Sequence, residues 1–367
     1  MNMRTLRQAA ARLGGLLPAS AGREPVSFKV NNFDLLRIFA ATQVLIFHSY
    51  SQSGAAVPAW LAPLIHFSGV PIFFVISGYL ISASYERNSD PGKYFRNRFL
   101  RIYPGMWACI LLTFLLTLLL GYRMAQALDY AWLPAQLAGV IFTPPFLKSF
   151  GMGSYNGSLW TIPVELQFYL VLPLAYRFCG LRKGGAGRAL LVLGFFALLR
   201  LGTNHLLPNM GLAAENGVEK LFRYTFLPHF YLFMLGVALQ RMQIYKLRFI
   251  AGKGVFWVAL YLCAKLLLPV GPAVSVATSL LLGIAVVSTA YTLPKLSGIL
   301  LRGQDISYGV YIYHFLFINL LAEYGLRQHP SFVPIILAAT CAAAALSWVL
   351  VEKPFLKKKR SAFHALQ

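Results

Sequence analysis

Stretches of about 20 mostly apolar residues, the length a helix needs to cross a hydrocarbon layer, alternate along this chain with short polar connections. On that ruler the sequence divides into about ten spans, at 33–53, 67–86, 102–121, 158–178, 187–206, 223–241, 254–270, 273–292, 306–325 and 332–351. A further apolar piece, Ala131 to Phe142, is too short to cross and is followed by Pro144-Pro145, so an interfacial or re-entrant segment is expected there. The pattern predicts an all-α, polytopic integral membrane protein. It contains no internal repeat and no inverted pair of broken hydrophobic segments of the kind that marks many transporters.

Composition agrees with the pattern. The 367 residues are 58% hydrophobic and 12% charged, with a mean hydropathy of +0.62, whereas soluble domains are about 45–50% apolar and about 25% charged. A formal net charge of +22 would suggest a nucleic-acid partner in a soluble protein. Here the cations sit in short loops between apolar runs, where the positive-inside rule accounts for them, and no nucleic acid is expected. Arg87 to Arg101, Arg182 to Arg188, Arg241 to Lys253, Lys295 with Arg302, and Lys357 to Arg360 fall on one side, while the opposite loops include Glu215 and Glu219. Both termini are therefore expected in the cytoplasm, with a basic N-terminal tail over 1–30, a membrane domain over 31–355 and a basic C-terminal tail over 356–367. The N-terminal tail lacks the apolar core of a signal peptide. The cysteines, Cys109, Cys179, Cys263 and Cys341, form no CxxC or Cys/His spacing, so neither a disulfide framework nor a metal site is indicated.

Polar residues inside the spans mark where chemistry can sit. The first span, FDLLRIFAATQVLIFHSY, carries Asp34, Arg37 and His48, and a charge near mid-membrane costs about 2.5–3.5 kcal/mol on insertion scales. Ten residues separate Arg37 from His48, which is close to three turns and puts both on one face about 16 Å apart. Either the two are a cation at one surface and a deep imidazole serving one site, or Arg37 snorkels or pairs with Asp34 while His48 bonds a neighbouring helix. In the second span, Ser77-Gly78 either lets helices approach closely or leaves room for a ligand beside a thin backbone. In KYFRNRFLRIYP, Arg98 and Arg101 share a helical face, suited to a phosphorylated donor or to anionic headgroups.

GSLWTIPVELQFYLVLP places Glu165 in a span otherwise free of charge. Ser158 or Thr161 is expected to cap that helix, with Pro163 in its first turn. Counted from the opposite surface, Glu165 and His48 come to matching depth, so the carboxylate either holds the imidazole of His48 or neutralises Arg200 or Lys265. Tyr308, Tyr311 and His314 form a polar-aromatic stripe near the end of the chain, for interhelical hydrogen bonds or for ligand contact. The other histidines have no spacing that singles them out.

In order and spacing, FDLLRIFAATQVLIFH, FFVISGYLI, RNRFLRIYP, SLWTIPVELQFYLVLPL, SYGVYIYH and VEKPF resemble the bacterial acyltransferase-3 family over Asn31 to Phe355. Each piece is weak alone; the ordered set is specific. The resemblance implies an enzyme of the bacterial inner membrane that moves an acyl group, usually acetyl, from coenzyme A to a hydroxyl of a cell-surface carbohydrate, free or lipid-linked. It implies no bound cofactor, with acyl-CoA as a substrate. It carries Arg37 and His48 over as a required pair, Arg98 and Arg101 as the cytoplasmic arginine element, and Ser158, Trp160 and Glu165 as the Ser-Leu-Trp element with its downstream carboxylate. The family's FFxxSGF element ends here in Tyr79. A stand-alone enzyme is implied rather than the forms that depend on an SGNH-type hydrolase domain.

The expected site thus has His48 as general base and Glu165 as its orienting carboxylate. Arg37, Arg98, Arg101, Ser77 and Gly78 hold acyl-CoA, whose pantetheine arm runs along the first helix. Asp34, Ser158, Trp160, Tyr308 and His314 support the site or the acceptor, which enters near Trp160 and the 143–157 loop. The competing readings are a sugar or lipid permease with a His48/Glu165 proton relay, and an acyltransferase acting on a non-carbohydrate acceptor.

Overall fold

A computed structural model describes residues 26–182, 185–206 and 222–357, the side chains of 205 and 206 excepted. Most of the two basic tails, Lys183, Glu215 and Glu219 lie outside the described residues. Within them the fold is helical and without strands. The principal helices are α1 (Phe33–Ser53), α2 (Gly69–Arg87), α3 (Pro91–Leu119), α4 (Ala127–Ala138), α5 (Thr161–Phe178) and α6 (Gly185–Leu206). They continue with α7 (Phe230–Arg241), α8 (Gly254–Leu267), α9 (Pro272–Ala290), α10 (Ser307–Glu323) and α11 (Phe332–Ser347). Every expected span contains one of these helices. Among the described residues, five segments are long and apolar enough to cross a membrane: Gly69–Arg87, Pro91–Leu119, Gly185–Asn204, Pro272–Ala290 and Phe332–Lys357.

Boundaries differ from the hydropathy ruler where local chemistry fixes them. Helix α3 starts eleven residues before the expected span, because Asp90 accepts the amide of Lys93 at 2.6 Å and Pro91 occupies the first turn. Arg98 and Arg101 therefore lie within this helix, at the spacing that puts them on one face. Helix α5 starts at Thr161, and the cap position falls on Trp160, whose side chain makes no capping bond. The expected cap by Ser158 or Thr161 does not form: Ser158 Oγ donates to Asn156 Oδ1 at 2.6 Å, and Thr161 Oγ1 pairs with the Tyr311 hydroxyl at 2.9 Å.

The short apolar piece is α4, twelve residues opened by a reciprocal Gln126/Asp129 cap. Asp129 is buried and also accepts the amide of Phe146 at 3.2 Å. That bond ties the start of the 143–157 loop to α4. The other end of the loop is held by Asn319 of α10, which donates to the carbonyls of Ser154 and Tyr155 at 2.7 and 3.0 Å and accepts the amide of Met152 at 2.9 Å.

The core is built around α2, which packs against α7, α1, α9 and α5, while α1 packs in turn against α10 and α11. The crossing of α2 with α7 is close enough to exclude side chains. A Cβ on Gly78 would sit 1.9 Å from the Phe233 carbonyl oxygen, and one on Gly236 would sit 2.1 Å from that of Val75. Gly78 thus serves helix packing. It does not open room for a ligand, as its place in the expected donor site required. Gly78→Ala is expected to cost about 1–3 kcal/mol of stability by forcing the two helices apart. Thermal unfolding of the purified protein in detergent checks this, and an unchanged midpoint would contradict the close crossing.

Candidate active site

A cavity of about 460 Å³ lies among α1, α2, α3, α5 and α10. The α2 residues that line it, Val70, Phe73, Phe74, Ser77, Leu80, Ile81, Ser84 and Arg87, recur every three or four positions. The cavity therefore follows one face of α2 over about 26 Å, nearly the thickness of a hydrocarbon layer. Its polar groups are sorted along that length. Arg87, Asp34, Arg37, Arg98, Arg101 and Asp305 gather towards one end, Ser77 and Glu165 occupy the middle, and Thr161 and Tyr311 belong with Val70 and Phe73 at the far end. Four arginines face three carboxylates.

Asp305 organises the arginine end. Arg101 donates to its Oδ2 at 2.6 Å, and Arg37 lies 3.9 Å from the same atom while donating to Asp34 at 3.1 Å. The other oxygen accepts the Ser307 hydroxyl at 2.5 Å and the Ser307 amide at 3.1 Å. Asp305 precedes α10 and is buried. Burial opposes its charge, but Arg101 and Arg37 outweigh that and hold its carboxyl below the usual carboxylate range. Two of the three arginines assigned to donor binding are therefore already partnered. Arg98 is different: its guanidinium lies over the Tyr169 ring at 5.8 Å, and its Nε is buried with no hydrogen-bond partner.

Arg98 also starts a chain along the cavity wall. The hydroxyl of Tyr169 donates to Glu165 Oε1, which also accepts Ser77 Oγ at 2.9 Å. Glu165 is thus committed to α2 and to its own helix. The expected pairing of Glu165 with His48 does not occur, and neither does the alternative pairing with Arg200 or Lys265.

The partner of His48 is His314. Nδ1 of His48 lies 2.9 Å from Nε2 of His314, and Nδ1 of His314 lies 3.2 Å from the Val310 carbonyl oxygen. A carbonyl only accepts, so a neutral His314 carries its proton on Nδ1 and presents a lone pair at Nε2. The proton between the rings then belongs to His48 Nδ1. That leaves the lone pair of His48 on Nε2, uncommitted, as a general base requires.

His48 is half-buried and His314 fully buried, and neither lines the long cavity. Tyr311 lines it, stacks edge-on with Phe73 at 5.5 Å and lies 6.0 Å from the His314 ring. The imidazole pair is connected to the cavity through Tyr311. The first helix contributes only Asp34 and Arg37 to the cavity wall, so this cavity does not follow α1, along which the pantetheine arm is expected, but α2.

Of the remaining expected residues, Tyr308 lines the cavity and donates to the Ile102 carbonyl at 2.9 Å. Ser158 is buried against Asn156, and Trp160 lines a second, adjoining cavity. Asp305, Tyr169 and Asn319 were missed by sequence reasoning. Asp305 offered one signal: an acid two residues before a serine at the start of a span, in a chain with only 11 acidic residues.

The profile of the acyltransferase domain family matches residues 30–352. The chain belongs to the acyltransferase-3 family. Nodulation protein 10 of Rhizobium leguminosarum bv. viciae is 32% identical to it, over 90% of this chain and 94% of that protein. The O-acetyl transferase of Shigella phage Sf6 is 28% identical, over 90% and 97%. The peptidoglycan O-acetyltransferase OatA of Listeria monocytogenes is 27% identical over 39% of this chain and 24% of its own length. No solved structure matches the chain. Family membership and these relatives make the protein a multi-pass membrane O-acyltransferase.

Proposed function

We propose that this protein transfers an acetyl group from acetyl-CoA on the cytoplasmic side of a bacterial inner membrane to a hydroxyl of a cell-surface or exported carbohydrate. In this reading the chain crosses the membrane ten times, as its apolar runs suggest, with both termini in the cytoplasm, an orientation that the loop cations support. The observation that carries the proposal is the long cavity on α2, arginine-rich at one end and lined by Tyr311 at the other, beside which the His48–His314 pair leaves His48 a free Nε2. A carbohydrate acceptor is supported by the relative named as a peptidoglycan O-acetyltransferase.

The donor's phosphates sit at the arginine end, its extended arm follows α2 past Ser77, and the thioester reaches His48 where the Phe73–Tyr311 pair gives way. His48 Nε2 takes the proton of the acceptor hydroxyl as that oxygen attacks the thioester carbonyl. The thiolate leaves and recovers the proton from the imidazolium. Glu165 acts within the donor cavity, where it fixes Tyr169 under Arg98. Labelled donor supplied without acceptor should leave no label on the protein, and an acyl-His48 adduct in the mass spectrum would replace direct transfer by a two-step route.

Arg98 has a buried donor still unspent, so it carries the phosphate contact. Charge-assisted hydrogen bonds contribute about 1.5–3 kcal/mol, or roughly 10- to 100-fold in affinity. Arg98→Ala is expected to raise the apparent KM for acetyl-CoA by about that factor with little change in kcat. An unaltered KM would remove Arg98 from the donor site. Release of free thiol by the purified protein separates this enzyme from a permease.

A further inference from the structure

A second cavity of about 280 Å³ adjoins the far end of the first, and Val70 and Phe74 line both. Its polar lining comes from Trp160, Arg200 of α6, His229, Tyr261 and Lys265 of α8, and Thr278 and Ser279 of α9, with the hydroxyls of Ser68, Tyr231 and Ser275 beside them. No carboxylate among the described residues lines it.

The state of its hydrogen-bond donors indicates what it can hold. Thr278 donates to the Val274 carbonyl and Ser279 to that of Ser275, both at 2.8 Å. The Tyr261 hydroxyl is committed to the His66 carbonyl, and the imidazole N–H of His229 to the Arg223 carbonyl at 2.9 Å. The N–H donors left over are the guanidinium of Arg200, the ammonium of Lys265 and the indole of Trp160. Neither Arg200 nor Lys265 forms an ion pair among the described residues. The Arg223 guanidinium adds positive charge 5.4 Å above the Trp160 ring. A half-buried arginine and an exposed lysine converging on one pocket, with the hydroxyls of Tyr261, Thr278 and Ser279 already spent, leave positive potential and unsatisfied donors. Only an anionic, acceptor-rich group satisfies both.

We infer that this cavity holds an anionic group of the acceptor, a phosphate or carboxylate, so that the hydroxyl to be acylated lies beside the outer end of the donor cavity. The inference rests on the O-acyltransferase reading above and narrows its acceptor to negatively charged molecules. The anion is either the headgroup phosphate of a lipid-linked sugar or an acidic substituent on the glycan itself.

Binding to the purified full chain tests it with two matched pairs of probes: farnesyl phosphate against farnesol, and glucose 1-phosphate against glucose. The anionic member of at least one pair is expected to bind about tenfold or more tightly than its neutral counterpart, as a charge-assisted contact implies. The first pair reports a lipid phosphate and the second a soluble one. Arg200→Gln and Lys265→Gln, each alone, are expected to lose part of that preference, and the double variant all of it. Acetyl-CoA binding and the thermal unfolding midpoint, read on the same samples, should stay at wild-type values. Equal binding of charged and neutral members in both pairs would overturn the inference, and so would a preference that survives in the double variant. Failure of the wild type to cleave acetyl-CoA would instead count against the enzymatic reading, because the anion preference is measured without turnover.

Discussion

Replacing His48 with alanine is expected to lower turnover by about 100- to 10,000-fold, while the protein stays folded in the membrane and still binds acetyl-CoA. The size of the effect follows from the geometry of the imidazole pair. With the Val310 carbonyl fixing the proton of His314, and His314 fixing that of His48, the lone pair at His48 Nε2 is set before any substrate arrives. His314→Ala removes the acceptor for the His48 Nδ1 proton and frees the ring to rotate or change tautomer. A smaller loss in kcat is expected, with the donor KM unchanged. His314→Gln, whose amide oxygen can still accept from His48, should recover part of the loss. Thiol release measured with label incorporation into the acceptor checks all three variants. Full activity of His48→Ala would leave the base unidentified.

The second large effect is on stability. Arg101→Ala leaves Asp305 buried beside α10 without its closest cation, and breaking such a pair typically costs about 3–5 kcal/mol because the remaining charge is uncompensated. A marked fall in the unfolding midpoint is expected. Adding Asp305→Asn to Arg101→Ala should recover much of it, since the orphaned charge is then gone, and an additive double-mutant cycle would contradict the pairing. The linkage has a definite sign. The carboxyl of Asp305 is held below its unfolded value of about 3.9. Its contribution is therefore fully present above that value and is lost as the pH falls through the depressed folded value. Wild-type protein should accordingly lose stability in acid more steeply than Asp305→Asn.

The helices, and much of the long cavity on α2, were legible in the sequence because both depend on spacing along one element. Apolar runs placed α1, α2 and α9 within a few residues of their ends, and the three-residue spacing of Arg98 and Arg101 put both on the cavity wall. What could not be read was which helix stands beside which. The depth argument matched His48 with Glu165 along one coordinate, but lateral position is set by packing. Helix α1 lies against α10, which delivers His314 from 266 residues away, and α5 reaches α2, which delivers Ser77. Helix α10 carried its stripe visibly, yet periodicity cannot distinguish a histidine that meets another histidine from one that meets a ligand. Gly78 was ambiguous for the same reason, since close approach of backbone and passage of a ligand need the same missing Cβ. Asp305 escaped notice because a loop acid has no periodicity at all. Its importance lies in Arg37 and Arg101 converging on it, and that convergence exists only in three dimensions.

The most direct test is made on cells. Surface polysaccharide is purified from a host carrying the wild-type protein, the His48→Ala variant or neither, after growth with isotopically labelled acetate, and its ester-linked acetyl groups are quantified by NMR. Labelled O-acetyl groups that appear with the wild-type protein and are absent from the other two samples are expected. Equal ester content in all three, or in wild type and His48→Ala, would contradict carbohydrate acetylation driven by His48.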